Sequence, residues 1–254
     1  MINNLLKIFV FCLSLIVPAS WHRISGQQLD NQAPAGLRMA TFDVDATPPV
    51  GSQLAYDPVA GQWDLGLRAR GLVLMGSDKP IVICSVDWIG IANDSQDEFK
   101  RALAEAAGTI PDRVAVHTIH VHDAPMSDFG AEQLLKKAGI GPVAFESSFQ
   151  HQVIQRIADA IRIAIQQAQP VTHIGTGTAA VSQVASNRRI LGADGRVRAT
   201  RWTTCKDSAL RAEPEGLIDP MVSVVSFWND HQPIAVLSFY ATHPQSYYRT
   251  GLPN

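Results

Sequence analysis

Cysteine is scarce in this chain, with 3 residues in 254, at positions 12, 84 and 205. That is too few for a disulfide framework. Cys84 lies in an apolar run and reads as a buried free thiol, and a bridge to Cys205 after export is the alternative. Charge of one sign is also lacking. The chain carries 21 Lys and Arg against 23 Asp and Glu, a formal net charge of -2. No basic excess exists to hold a phosphate backbone, so no nucleic-acid partner is expected. There is no internal repeat and no low-complexity tract. What remains is 46% hydrophobic and 17% charged, an ordinary globular composition. It suffices for one large domain or two small ones.

Residues 1–19 read as a secretory signal. Lys7 supplies the positive charge, residues 8–17 form the apolar core, and Val17-Pro-Ala19 places a small residue before a cut at Ser20. The apolar core is about half of the roughly 20 residues that cross a bilayer, which favours cleavage over an uncleaved anchor. A secreted or periplasmic protein is expected. Residues 20–36 are polar, with Gly, Pro and Gln, and read as a linker ahead of one region spanning 37–254.

Alternating apolar residues predict strands at 38–45, 71–75 and 80–86, the last two paired around Gly76-Ser-Asp-Lys79. Ser95 and Glu98 have capping-box spacing for a helix with Phe99, Ala102, Leu103 and Ala106 on one stripe, and Gly108 is its stop. A strand at 113–119 completes a strand–helix–strand unit. Further helices are predicted at 131–138 and 149–168. The longer one buries Val153, Ile157, Ile161, Ala164 and Ala168, widened by Ile154 and Ile165. A strand at 171–179, a basic loop with Arg188, Arg189, Arg196, Arg198 and Arg201, and a hairpin of 221–228 with 233–240 complete the pattern. The expected class is α/β, with mixed β-sheet layers flanked by helices and incomplete at the C-terminus. Leu252-Pro-Asn254 follows the last strand with no closing element, so a fragment of a longer protein is expected.

Three of the 8 histidines fall between positions 117 and 122, in Val114-Ala-Val-His117-Thr-Ile-His120-Val-His122-Asp-Ala-Pro125. In an extended segment His120 and His122 share one side. A further histidine, His243, ends the apolar run Ile234-Ala-Val-Leu-Ser-Phe-Tyr-Ala-Thr-His243. Two strand ends that deliver imidazoles can converge on one metal, and imidazole suits zinc. Spacing alone leaves metal binding and an exposed histidine strand both open. Asp123 could hold a ligand imidazole by its second nitrogen or cap a loop. Asp87 ends an apolar strand one unit earlier, where α/β sites gather, or serves as a turn aspartate. Asn187 and Arg188 interrupt two strands. Arginine can clamp a carbonyl or carboxylate, and the loop can equally be a solvated basic loop. His22, His151, His173 and His231 read as structural or surface residues.

Taken in order, several stretches resemble the N-terminal region of the neutral/alkaline (non-lysosomal) ceramidase family. They are Ala40-Thr-Phe-Asp43-Val-Asp45-Ala-Thr-Pro-Pro49, Ser85-Val-Asp87, His117-Thr-Ile-His120-Val-His122-Asp-Ala-Pro125, Ser186-Asn-Arg188, Ile218-Asp-Pro220 and Phe239-Tyr-Ala-Thr-His243. The family's histidine strand reads Thr-His-Thr-His-Ser-Gly-Pro, and one of its histidines and a later histidine bind a catalytic zinc. The resemblance maps these to the His120 and His122 pair and to His243. Asp87, His117, Asp123 and Asn187 become supporting residues, and Arg188 contacts the substrate or its oxyanion. Asp123-Ala124 stands where the family has Ser-Gly, and the glycines after the proline are missing. The family's active-site serine has no match, and its glutamate and tyrosine zinc ligands lie further downstream than Asn254.

The resemblance implies a secreted zinc-dependent amidohydrolase acting on a ceramide-like lipid amide, with peripheral membrane contact left open. Two rivals remain. One is a non-catalytic exported binding module or inactive truncated fragment. The other is a zinc hydrolase of another amide or ester.

Overall fold

In the computed structural model the described residues are 36–61, 66–141, 145–202 and 204–244. The signal reading of residues 1–19 and nearly all of the 20–36 linker lie outside them. The chain opens with β1 (Arg38–Asp45), β2 (Arg68–Met75), β3 (Ile81–Val86) and the short β4 (Gly90–Ile91). Helix α1 (Asn93–Ala107) leads to β5 (Val114–Thr118), β6 (Met126–Ser127), α2 (Phe129–Lys137) and α3 (Ser147–Gln166). Then come β7 (Gln169–Pro170), β8 (His173–Ala180), β9 (Arg189–Leu191), β10 (Val197–Thr200), α4 (Ser208–Ala212), β11 (Met221–Asn229) and β12 (Gln232–Tyr240).

Two main sheets organise the chain. One has five strands in the order β5-β3-β2-β1-β7, and the other three in the order β12-β11-β8. Neighbours in the first sheet are antiparallel except β3 and β5, which run parallel across the α1 crossover. This is the expected strand–helix–strand unit inside an α/β fold.

The period-2 pattern of the strands gives the five-stranded sheet two buried faces. Ala40, Val73, Val82 and Val86 meet the apolar stripes of α1 and α3, through Phe99, Leu103, Val153, Ile157 and Ile161. Met39 and Leu72 point the other way, into a smaller core with Phe227 of the three-stranded sheet. The result is helices, then a large sheet, then a small sheet. Gly71 sits where Phe42 crosses over it, and an added Cβ there would lie 2.2 Å from the Ile83 carbonyl and 2.3 Å from Phe42 Cζ. Only a residue without a side chain fits.

Three local readings differ from the structure, while Cys84 is the buried free thiol read from the sequence. Helix α1 starts earlier than its capping box implies, with Ala92 as N-cap, so Ser95 lies inside the helix. There its buried hydroxyl accepts the Phe129 N–H at 2.9 Å and ties α2 to α1. The basic loop contains the hairpin β9–β10, whose buried Ile190 gives it an inner face. Helix α4 was not legible because it is short; Asp207 caps it. Cys84 and Cys205 are both free, and the buried Cys84 is packed in the sheet core. The bridge between them does not form.

Candidate metal centre

β5 stops pairing with β3 at Thr118, yet the chain keeps tracking its neighbour. Ile119 N–H donates to the Val86 carbonyl at 3.2 Å, and His120 N–H to the Trp88 carbonyl at 3.1 Å. Trp88 is fully buried, stacks edge-on against Phe99, and donates its indole N–H to the Ala46 carbonyl at 3.1 Å. The backbone that receives His120 is therefore held from below. His120 itself has φ +64°, the left-handed region that histidine tolerates better than most residues. This corrects the expectation of strand alternation. His120 and His122 reach one place through a turn after the strand, and their rings stand 85° apart rather than side by side.

His243 arrives from the other sheet, just beyond β12. Its Nε2 lies 3.0 Å from Nε2 of His122. His120 stands edge-on to both, with ring centroids 5.0 Å from His122 and 5.5 Å from His243. Each of the three offers one ring nitrogen, and these nitrogens lie within 4.8 Å of one another. Zn–N bonds of about 2.0–2.1 Å put tetrahedral donors roughly 3.3 Å apart, so ring rotations of about an ångström would complete a shared sphere. His120 is already oriented for this. Its Nδ1 lies 2.7 Å from the Ile89 carbonyl, which can only accept, so Nδ1 carries the proton and Nε2 keeps its lone pair. The donor set fits a zinc ion: three imidazoles, one with its tautomer set by a backbone carbonyl.

The electrostatics agree with that donor set. Burial is the main reason His122 titrates below an ordinary histidine, and the neighbouring His243 and His120 push it the same way. Asp123, only 3% exposed, pulls it back upward. A neutral imidazole is the form that binds metal. Behind His122, the Tyr56 hydroxyl lies 3.1 Å from Nδ1. The loop that carries Tyr56 is tied to the histidine loop by Ala55 N–H donating to the Ala124 carbonyl at 3.0 Å. Sequence reasoning missed Tyr56, which stands in an irregular segment with no periodicity to single it out.

The remaining predicted residues sit elsewhere. Asp87 is spent on β2, where its Oδ2 accepts the Arg68 N–H at 2.9 Å, the turn-aspartate alternative. Burial raises its pKa above the ordinary aspartate value, against the pull of the Arg68 N–H and Arg70. His117 lines a groove of about 530 Å³ between the two sheets, and the walls lower its pKa by desolvation. Ile83, Ile119, Leu237 and Phe239 give this groove an apolar lining, and Arg70, Asp43 and Ser85 add polar groups. Two of its walls, the end of β5 and β12, continue into His120 and His243. Asn187 holds its own loop, donating to the Leu217 carbonyl at 3.1 Å and accepting the Arg189 N–H at 2.9 Å. The Arg188 guanidinium rests over Trp202, 5.3 Å from the ring centre.

No protein-family model and no curated protein matches the chain. Solved structures do. A ceramidase complexed with C2 superposes with a TM-score of 0.51 at 17% identity, over 82% of this chain and 31% of that one. The neutral ceramidase of Pseudomonas aeruginosa gives a TM-score of 0.55 at 17% identity, over 85% of this chain and 37% of that one. The chain spans about a third of the length of these two structures. At this identity the likeness is one of fold, and the chain is built like part of a neutral ceramidase.

Proposed function

We propose that this chain carries the metal-binding part of a zinc-dependent amidohydrolase that cleaves the N-acyl amide bond of ceramide-like lipids. The observation that carries the reading is the convergence of His120, His122 and His243, drawn from both sheets, in a fold similar to that of ceramidases. His120, His122 and His243 would hold the ion. When bound, zinc supplies Lewis acidity that polarises an amide carbonyl and acidifies a water. Tyr56 and the Ile89 carbonyl would fix the two imidazoles of the histidine loop. The adjoining apolar groove supports an amide with a hydrocarbon chain. The oxyanion role of Arg188 and the supporting role of Asn187 rest on the sequence resemblance alone. Export from the cell rests on residues 1–19 alone.

One observation favours a second reading, a metal-binding module without catalysis. Arg188 is engaged on Trp202 and Asp87 on the Arg68 backbone, so each already has a partner outside the histidine cluster. The two readings separate in one experiment. The purified chain is loaded with zinc, its metal content is measured, and fatty-acid release is followed from a short-chain ceramide and from a simple acyl-amide. Stoichiometric zinc with ceramide turnover supports the first reading. Zinc without turnover supports the second, and preference for the simple amide points to a different hydrolase. Absence of zinc binding removes both metal readings.

A further inference from the structure

The segment from residue 181 to 217 has a composition unlike the rest of the chain. It holds seven Lys and Arg against four Asp and Glu, while the whole chain has a net charge of -2. All four carboxylates are engaged locally. Asp194 accepts the Arg196 N–H, Asp207 caps α4, Glu213 pairs with Arg198, and Glu215 accepts the Gln183 N–H. Arg201 is turned inward, donating to the carbonyls of Leu210, Glu213 and Pro214. Arg188, Arg189, Arg196, Lys206 and Arg211 are left on the exposed surface.

Large apolar side chains share that surface. Leu191 and Val197 face each other directly across the β9–β10 hairpin, and they are 57% and 50% exposed. Arg189, two residues from Leu191, shares their face, while Ile190 between them is buried on the other. Trp202 is 63% exposed beneath the Arg188 guanidinium, and Leu217 is 87% exposed beside Asn187. The layer is knitted together, because Arg201 N–H donates to the Arg188 carbonyl and Asn187 N–H to the Glu215 carbonyl, both at 2.7 Å. Exposed Leu, Val and Trp interleaved with arginines is the chemistry of the bilayer interface. The apolar groups enter the acyl boundary, Trp sits at the headgroups, and arginines reach the phosphates. Leu191 and Val197 form a paired apolar patch rather than the scattered single residues an aqueous surface ordinarily carries.

We propose that the face formed by β9, β10 and the flanking 184–188 and 214–217 segments docks on an anionic lipid bilayer. Leu191, Val197 and Trp202 would insert, and Arg189 and Arg196 would meet lipid phosphates. Leu191, Val197, Trp202, Arg189 and Arg196 contribute nothing to the histidine cluster, so the vesicle test is read separately from zinc binding. Of the flanking residues, Asn187 and Arg188 also have roles in the zinc reading.

The test uses the full chain with vesicles of phosphatidylcholine alone, or of phosphatidylcholine with phosphatidylglycerol, in a sedimentation assay. Each exposed cation near an anionic leaflet is worth about fivefold in partitioning. Binding to the anionic vesicles should exceed binding to the neutral ones by about tenfold or more, and should fall with added salt. A Leu191→Asp/Val197→Asp double variant and an Arg189→Glu/Arg196→Glu double variant should each lose about tenfold. Unchanged circular dichroism and zinc content would show that they fold. Equal binding of both folded variants and the parent would overturn the proposal, as would no binding to anionic vesicles at low salt. Self-association of the parent that both variants abolish, without vesicle binding, would assign the face to a second copy of the chain and overturn it too. If either variant fails to fold, quenching of Trp fluorescence in the parent by brominated lipids decides, with no quenching counting against docking.

Discussion

Tyr56 and His122 meet at 3.1 Å, hydroxyl to Nδ1, a contact that satisfies Nδ1 in either tautomer and leaves Nε2 facing His243. Without metal, the phenol can donate to Nδ1 while Nε2–H points at His243, 3.0 Å away. With metal, Nε2 must give up its proton, and Nδ1–H then needs an acceptor. A hydroxyl serves in both roles. Tyr56→Phe should therefore weaken zinc affinity by about tenfold, the low end for partners behind a ligand. Competition with a chromophoric chelator measures this, and an unchanged affinity would make Tyr56 a packing residue.

Removing a histidine should be more severe. His243→Ala and His120→Ala each leave two imidazoles, fewer than the three protein ligands a catalytic zinc usually takes. Each should lose bound zinc on gel filtration, where the parent retains about one equivalent. His231→Ala, in the β11–β12 turn, serves as the control and should keep its metal.

Asp87 gives a pH prediction. Burial raises its folded-state pKa above the unfolded value. The stability this group contributes is thus full below the ordinary aspartate range and is lost as pH rises through the folded value. Above its folded value the carboxylate is a charge held in a half-buried site. Asp87→Asn keeps an oxygen for the Arg68 N–H and removes the charge. Its Tm should equal or exceed the parent's at pH 7, and the advantage should vanish as the pH falls toward about 4. A deficit of constant size at both pH values would count against this.

Gly71→Ala should cost about 3 kcal/mol, because the new methyl meets a strand carbonyl and the Phe42 ring, neither of which can yield cheaply. Urea unfolding reports it as a lower midpoint with an unchanged slope.

Thiol chemistry separates the two cysteines. Burial pushes the Cys84 thiol up to about 12, so it should label only when the chain unfolds. Cys205, partly exposed, should label in the native state. Equal slow labelling of both would contradict their burial.

The longer strands β1, β2, β3, β5, β8, β11 and β12 and the long helices were legible from their apolar patterns, as with Val153, Ile157 and Ile161 on α3, whereas β9 and β10 were read as loop. The histidine cluster was legible by density alone. Its geometry was not, since the turn at His120 depends on the buried Trp88 carbonyl, which no local pattern reveals. Ser95 misled because capping-box spacing does not show which turn of a helix it occupies, and its hydroxyl was wanted by Phe129. Tyr56 was invisible for a related reason: its partner is 66 positions away, and only the folded chain brings them together.

His122 and His243 are 121 positions apart and belong to different sheets. An ion gripped by both would act as a reversible staple between the layers. Closing a loop of that length costs the unfolded chain about 5 kcal/mol in entropy. The small sheet, anchored mainly by the Met39, Leu72 and Phe227 core, is the part such a staple would secure. Chelation should therefore loosen β8, β11 and β12 ahead of the helical layer. Amide exchange in those strands would quicken while α1 and α3 stay protected, and the rate of zinc release would set how fast the layers part.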